Sequence, residues 1–173
     1  MNDSRERYGV VTRIFHWGMA LLVIWQGLKF FDRINDGEHW IGQTLVSFHA
    51  DIGSLILFLV ILRIIWSAIQ NNKRPLQEPA SALLVKLGHF ALYACMVLMP
   101  LTGVMFLIGR GYGWNLFGVQ LISSGPEIPW MANLGITLHS PIAWIFLIVV
   151  IGHVGMALIH HFVKKDDVMK RMM

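Results

Sequence analysis

Four histidines, His16, His49, His139 and His153, each lie in an apolar stretch long enough to cross a membrane. Imidazole is neutral at ordinary pH and ligates transition metals well, and two imidazoles facing each other fill both axial positions of a haem iron. His139 and His153 are fourteen residues apart. In a helix that is about 21 Å of rise and about 40° short of four full turns, so the two rings share one face with most of a bilayer between them. A helix with ligands at that spacing serves two sites, one near each membrane surface. An iron ligated on both sides has no open position for oxygen or substrate, which points to electron transfer rather than chemistry at the metal.

The rest of the chain is built to hold such residues in lipid. Of 173 residues, 55% are hydrophobic and only 14% charged, and the mean hydropathy is +0.59. A soluble domain carries about a quarter charged residues, so these values describe one all-α integral-membrane domain over 1–173. Apolar spans run from about 14–31, 44–68, 83–108 and 135–163. Each has roughly the 20 residues needed to cross the hydrocarbon core, and helix is required because lipid offers backbone amides no partner. The connections 32–43, 70–81 and 109–133 carry turn residues such as Asn35-Asp36-Gly37 and Asn71-Asn72. No small-x-small cleavage site follows the first apolar run, which ends Leu28-Lys29-Phe30-Phe31, so it reads as a retained helix. Pro100 and Gly103 predict a kink in the third span. Trp40, Trp114 and Trp130 suit an interfacial aromatic belt, and His39 an exposed loop.

Charge orients the antiparallel bundle. Eleven of the fourteen basic residues flank one side: Arg5, Arg7 and Arg13 before the first span, Arg63, Lys73, Arg74 and Lys86 around the second connection, and Lys164, Lys165, Lys170 and Arg171 at the end. Lys29, Arg33 and Arg110 fall on the other. The positive-inside rule then places both termini in the cytoplasm of a bacterial inner membrane. Topology thus explains the net charge of +4 without invoking nucleic acid. Cys95 is the sole cysteine, which excludes an internal disulfide, a cysteine-based zinc site and a cysteine-ligated iron–sulfur cluster. With no Cys-x-x-Cys-His, any haem is held non-covalently.

In this topology His49 and His139 share the periplasmic depth, and His16 and His153 the cytoplasmic depth. Copper or zinc would find the same imidazoles, but histidine pairs without Cys, Asp or Glu beside them make poor zinc sites. Gly18 and Gly53 leave room either for a flat macrocycle or for close helix packing. Arg63, fourteen residues after His49, reaches the cytoplasmic depth, where it would meet a haem propionate or a quinone, or snorkel to the interface. His89 opens the third span and His160 lies two turns beyond His153, both placed for proton exchange with a quinone. His161 adjoins them.

These residues fall into a pattern that resembles the bacterial cytochrome b561 family. It comprises Ile14-Phe15-His16-Trp17, His49-x-x-x-Gly53, Leu87-Gly88-His89-x-x-Leu92-Tyr93, Met99-Pro100-Leu101-x-Gly103, and His153 followed by His160-His161-Phe162, Lys165-Asp166 and Arg171-Met172. The resemblance covers nearly the whole chain. It implies a four-helix bundle with two b-type haems, ligated by His16/His153 on the cytoplasmic side and His49/His139 on the periplasmic side. It also implies electron exchange with ubiquinone near His160. The expectation is an inner-membrane carrier between an unknown periplasmic donor or acceptor and the quinone pool. The alternatives are a superoxide:ubiquinone oxidoreductase, a haem-carrying anchor for a separate dehydrogenase or hydrogenase, and, from another class, a haem-free transporter or proton channel.

Overall fold

The computed structural model describes residues 2–33, 38–75 and 82–173. Helix α1 spans Val10–Gly27 and tightens into a 3₁₀ turn over Leu28–Arg33; a short α2, Trp40–Thr44, leads through a 3₁₀ turn at Val46–Phe48 into α3, His49–Gln70. Helix α4 spans Ala82–Gly109, strands β1 (Trp114–Leu116) and β2 (Val119–Ile122) follow, and α5 runs from Pro129 to Leu158. With their flanking turns, four helices among the described residues are long and apolar enough to cross a membrane: Val10–Phe31, Trp40–Lys73, Ala82–Gly109 and Pro129–Lys164.

The distribution of apolar surface is that of a bilayer protein. Among the described residues the buried core is small and centres on Met19, Ile52, Ile56, Val60 and Met96. Large aliphatics stand outward, Ile14 and Ile148 each 67% exposed. In water such continuous apolar faces would drive aggregation; in lipid they are the solvated surface.

Close backbone approach runs α1 to α3, α3 to α4 and α4 to α5. The α4–α5 crossing is the tightest, and glycine makes it so. A Cβ on Gly135 would lie 2.6 Å from the Phe106 amide nitrogen, and one on Gly109 would lie 2.3 Å from that of Ala132. Helices α1 and α5 instead meet through side chains, with Phe30 against Trp144 at 4.8 Å and His16 facing His153. Pro100 lies within α4, which continues through it as one helix from Ala82 to Gly109.

Both chain termini clasp one end of the bundle. Buried Asp3 accepts hydrogen bonds from the Gly9 amide (2.8 Å) and the Thr12 hydroxyl (2.6 Å), supplying the cap that Gly9 lacks, and it pairs with Arg74 at 3.4 Å. The Tyr8 amide donates to the Arg171 carbonyl, Trp17 Nε1 to that of Met172, and Arg13 to that of Met173. At the other end the third connection is not only a loop. Its antiparallel hairpin turns at Phe117 (φ 47°) and Gly118 (φ 84°). Positive φ at both central residues matches the strand twist but strains a phenylalanine.

That hairpin docks on α3. Trp114 stacks on Phe58 at 5.7 Å and donates to the Ser54 hydroxyl at 2.9 Å, while the Phe117 amide donates to Asp51 at 2.6 Å. Trp114 is therefore a half-buried anchor of the hairpin on α3, whereas Trp40 and Trp130 are exposed. His39 is also more than an exposed loop residue. Its Nδ1 accepts from the Gly42 amide at the start of α2, and its Nε2 lies 2.8 Å from the Phe31 carbonyl. The turn expected at Asn35-Asp36-Gly37, the side chains of Asp32 and Arg33, and residues 76–81 lie outside the described residues.

Candidate functional site

At the hairpin end, α3 begins with His49, and α5 carries His139 one turn after Gly135. The tight α4–α5 crossing presses His139 against α4, where a Cβ on Gly103 would sit 3.2 Å from its Cε1. The buried Thr102 hydroxyl donates to the Met99 carbonyl at 2.8 Å, so toward His139 Nδ1, 3.0 Å away, it acts as the acceptor. The proton of His139 is thereby held on Nδ1, and Nε2 keeps its lone pair. The His49 and His139 ring centroids are 6.0 Å apart with planes at 81°. They line a cavity of about 510 Å³ shared with Gly53, Met96, Pro100 and Phe146. Gln26 also lines it; its Nε2 donates to the His49 carbonyl at 2.8 Å, and its Oε1 is buried with no hydrogen-bond partner among the described residues.

At the terminal end, α1 contributes His16 and α5 His153, with centroids 6.2 Å apart and planes at 62°. Arg63 reaches in from α3. Its guanidinium lies 3.3 Å from His16 Nδ1, touches Met19 Sδ at 3.9 Å and lies 5.5 Å from the Tyr93 ring centre. From α4, His89 comes within 5.7 Å of the His153 ring; its Nδ1 donates to the Val85 carbonyl at 2.9 Å, leaving Nε2 as an acceptor. Helix α5 closes in a π-helical turn over Ile159–Lys164, with Lys165 left-handed at φ 54°. That turn folds Asp166 back so that its carboxylate takes His160 Nδ1 at 2.6 Å. The hydrogen bond from His160, above all, holds the Asp166 carboxyl below its usual range.

The two histidine pairs fit one metric. A metal–imidazole nitrogen bond is about 2.0–2.1 Å, and the ring centre lies about 1.1 Å behind that nitrogen, so two rings bound trans to one metal have centres about 6.3 Å apart. The observed 6.0 and 6.2 Å match this separation. Among the described residues no group of three or more His, Cys, Asp or Glu side chains is placed to hold a bare metal ion. Two-imidazole sites of this kind suit a metal whose remaining positions are filled by a macrocycle.

A family model described as prokaryotic cytochrome b561 matches residues 7–173. The chain belongs to the prokaryotic cytochrome b561 family. It is 30% identical to cytochrome b561 homolog 2 of Escherichia coli K12, over 99% of this chain and 93% of that relative. It is 27% identical to the probable superoxide oxidase CybB of Yersinia pestis, over 97% and 96% of the two chains. Half of the chain also aligns with cytochrome b561 homolog 1 of Escherichia coli K12, at 29% identity. As a cytochrome b561 it is a multi-pass bacterial inner-membrane protein that binds b-type haem and serves electron transport.

Several partners in this cytochrome b561 escaped sequence reading. Thr102 occupies the unassigned position in the Met99–Gly103 motif, and its place beside His139 appears only when α4 meets α5. Asp51 is two residues from His49, but the amide it accepts from is 66 residues further along the chain. Gly53 lines the cavity, whereas Gly18 lines a separate apolar groove between α1 and α3. His161 packs edge-on to Phe162 at 4.7 Å.

Proposed function

We propose that this cytochrome carries two b haems, one between His49 and His139 and one between His16 and His153, and moves electrons between a periplasmic redox partner and the quinone pool. The observation that carries the reading is the pair of imidazole separations, 6.0 and 6.2 Å, at opposite ends of one bundle. When bound, each haem supplies a one-electron redox couple. The protein's part is to orient the rings, exclude water and hold the protons. Thr102 orients His139, and Gln26 offers a buried acceptor in the same cavity. The spans at 14–31, 44–68, 83–108 and 135–163 form one domain with both termini cytoplasmic, the terminal end being the basic one.

Ubiquinone is the acceptor at the terminal end. A quinone takes up protons as it is reduced, and His160, held by Asp166, offers an imidazole at the membrane edge for that exchange. His89 and Arg63 flank the same end. The name of the Yersinia pestis relative makes superoxide one donor to try at the opposite end. The described cations there are Lys29 and Arg110, and Arg110 already lies 3.7 Å from Glu127, which leaves little positive charge to attract an anion. A periplasmic electron carrier is the better donor on that ground.

The test is a reduced-minus-oxidised spectrum with haem quantitation on the purified protein. Two b haems per chain are expected, with one lost in His49→Ala and the other in His153→Ala. One haem per chain, or a variant that loses none, would break the pairing.

A further inference from the structure

The two histidine pairs sit in opposite electrostatic settings. At the terminal end the guanidinium of Arg63 is held inside the span by His16, Met19 and Tyr93, 3.3 Å from His16 Nδ1. A ring bound to metal through Nε2 carries its proton on Nδ1, so this cation opposes further positive charge on the ligand. At the hairpin end His139 instead gives its Nδ1 proton to Thr102, which makes the ring a stronger donor and favours the oxidised metal. Asp51, two residues after His49 and so on another face of α3, is turned instead to the Phe117 amide of the docked hairpin.

Other charges do not cancel this difference. At the hairpin end Lys29 lines the His49/His139 cavity but is itself exposed, and Arg110 is exposed and paired with Glu127, so water, salt and the carboxylate weaken both. At the terminal end Asp3 is paired with Arg74 and Asp166 with His160, both beyond the ends of the spans. Lys164 and Lys165 there are exposed as well.

We infer that Arg63, together with the Thr102 contact of His139, orders the two haem potentials, so that electrons fall from the His49/His139 site to the His16/His153 site. The ferric haem carries one more positive charge than the ferrous. The Thr102 contact therefore favours the oxidised state at the hairpin end, and Arg63 favours the reduced state at the terminal end. The direction of flow is then built into the chain, whatever the donor. This rests on the dihaem reading above.

The experiment is a potentiometric titration of the full-length holoprotein, followed through the haem absorption bands. Wild type should titrate in two one-electron steps. Variants that keep a single haem assign each step to its site: His49→Ala keeps the terminal-end haem and His153→Ala the other. Arg63→Gln should lower the terminal-end step by about tenfold in equilibrium constant, about 59 mV for one electron, and Arg63→Lys should retain most of the wild-type value. A hairpin-end haem with the higher potential, or an Arg63→Gln protein with both haems and unmoved steps, overturns the inference alone. Fewer than two haems in wild type overturns the functional reading and this inference together.

Discussion

Single side chains decide how each imidazole is presented. Thr102 fixes the His139 tautomer by spending its one proton on the Met99 carbonyl. Thr102→Val keeps the shape and removes the acceptor. It should weaken haem retention at the hairpin end by 10- to 100-fold, on the order seen for outer-shell partners of metal ligands, and leave the other haem in place; haem titration of the apoprotein measures this. Arg63 acts at longer range. At an effective dielectric of about 20, a unit charge about 8 Å away is worth about 2 kcal/mol, more than a tenfold change in electron sharing. Asp166 is a different kind of contact. Its carboxyl is lowered chiefly by the His160 hydrogen bond, so its contribution is complete above the usual carboxylate range and disappears as pH falls through the lowered value. The tail that follows it should therefore stay docked at neutral pH and loosen in strong acid. Fluorescence of Trp17, which donates to Met172, would report the release, and Asp166→Asn should remove the acid-side step. Arg63 and the four paired histidines were visible in the sequence as costly groups in lipid. Thr102 was not, because a hydroxyl in a membrane helix can satisfy itself on its own backbone.

Helices act here mainly through how closely they approach. Gly109 and Gly135 allow α4 and α5 to cross with backbone in contact, and that crossing carries His139 to Thr102. Gly135→Ala should force the helices apart and destabilise the bundle by about 1–3 kcal/mol. Thermal unfolding in detergent should show a lower Tm, and spectra should show preferential loss of the hairpin-end haem. A variant with wild-type Tm and both haems would mean that the crossing has slack. The existence of the four helices was legible from hydropathy, since length and apolarity settle that a segment spans. Which glycines mark the crossing was not, because sixteen glycines offer many small-residue faces and only packing selects among them. The hairpin was hidden for a related reason. Four- and three-residue strands in a Gly- and Ser-rich connection have little period of their own, and this pair is held by Trp114 on Phe58 and Ser54.

Across the whole molecule the two candidate sites are separated along the membrane normal by about 21 Å, the rise between His139 and His153. In the proposed dihaem arrangement an electron moving between them crosses part of the membrane field, which is worth about 2.3 kcal/mol per charge per 100 mV over the full thickness. In proteoliposomes with reducible quinone, imposing an inside-positive potential should therefore speed inward transfer, and reversing it should slow it. A rate indifferent to potential would mean that both sites lie at one depth in the field. Trp114→Ala should free the hairpin from α3 and raise its proteolytic sensitivity while leaving the four spans intact, since the hairpin adds to the bundle from outside.

The sequence by itself determined that this is a four-span helical membrane protein and predicted which histidines share a depth. Both follow from one-dimensional quantities, the length of apolar runs and the rise of a helix, which lipid enforces without reference to neighbours. Tertiary structure alone decided what each imidazole touches. The Arg63–His16, Thr102–His139 and Asp51–Phe117 contacts join residues between 37 and 66 positions apart. Their geometry depends on how the helices rotate and how closely glycine lets them pack. The periodicity of one segment carries no information about the rotation of another, so the electrostatic difference between the two ends emerges only when the helices meet.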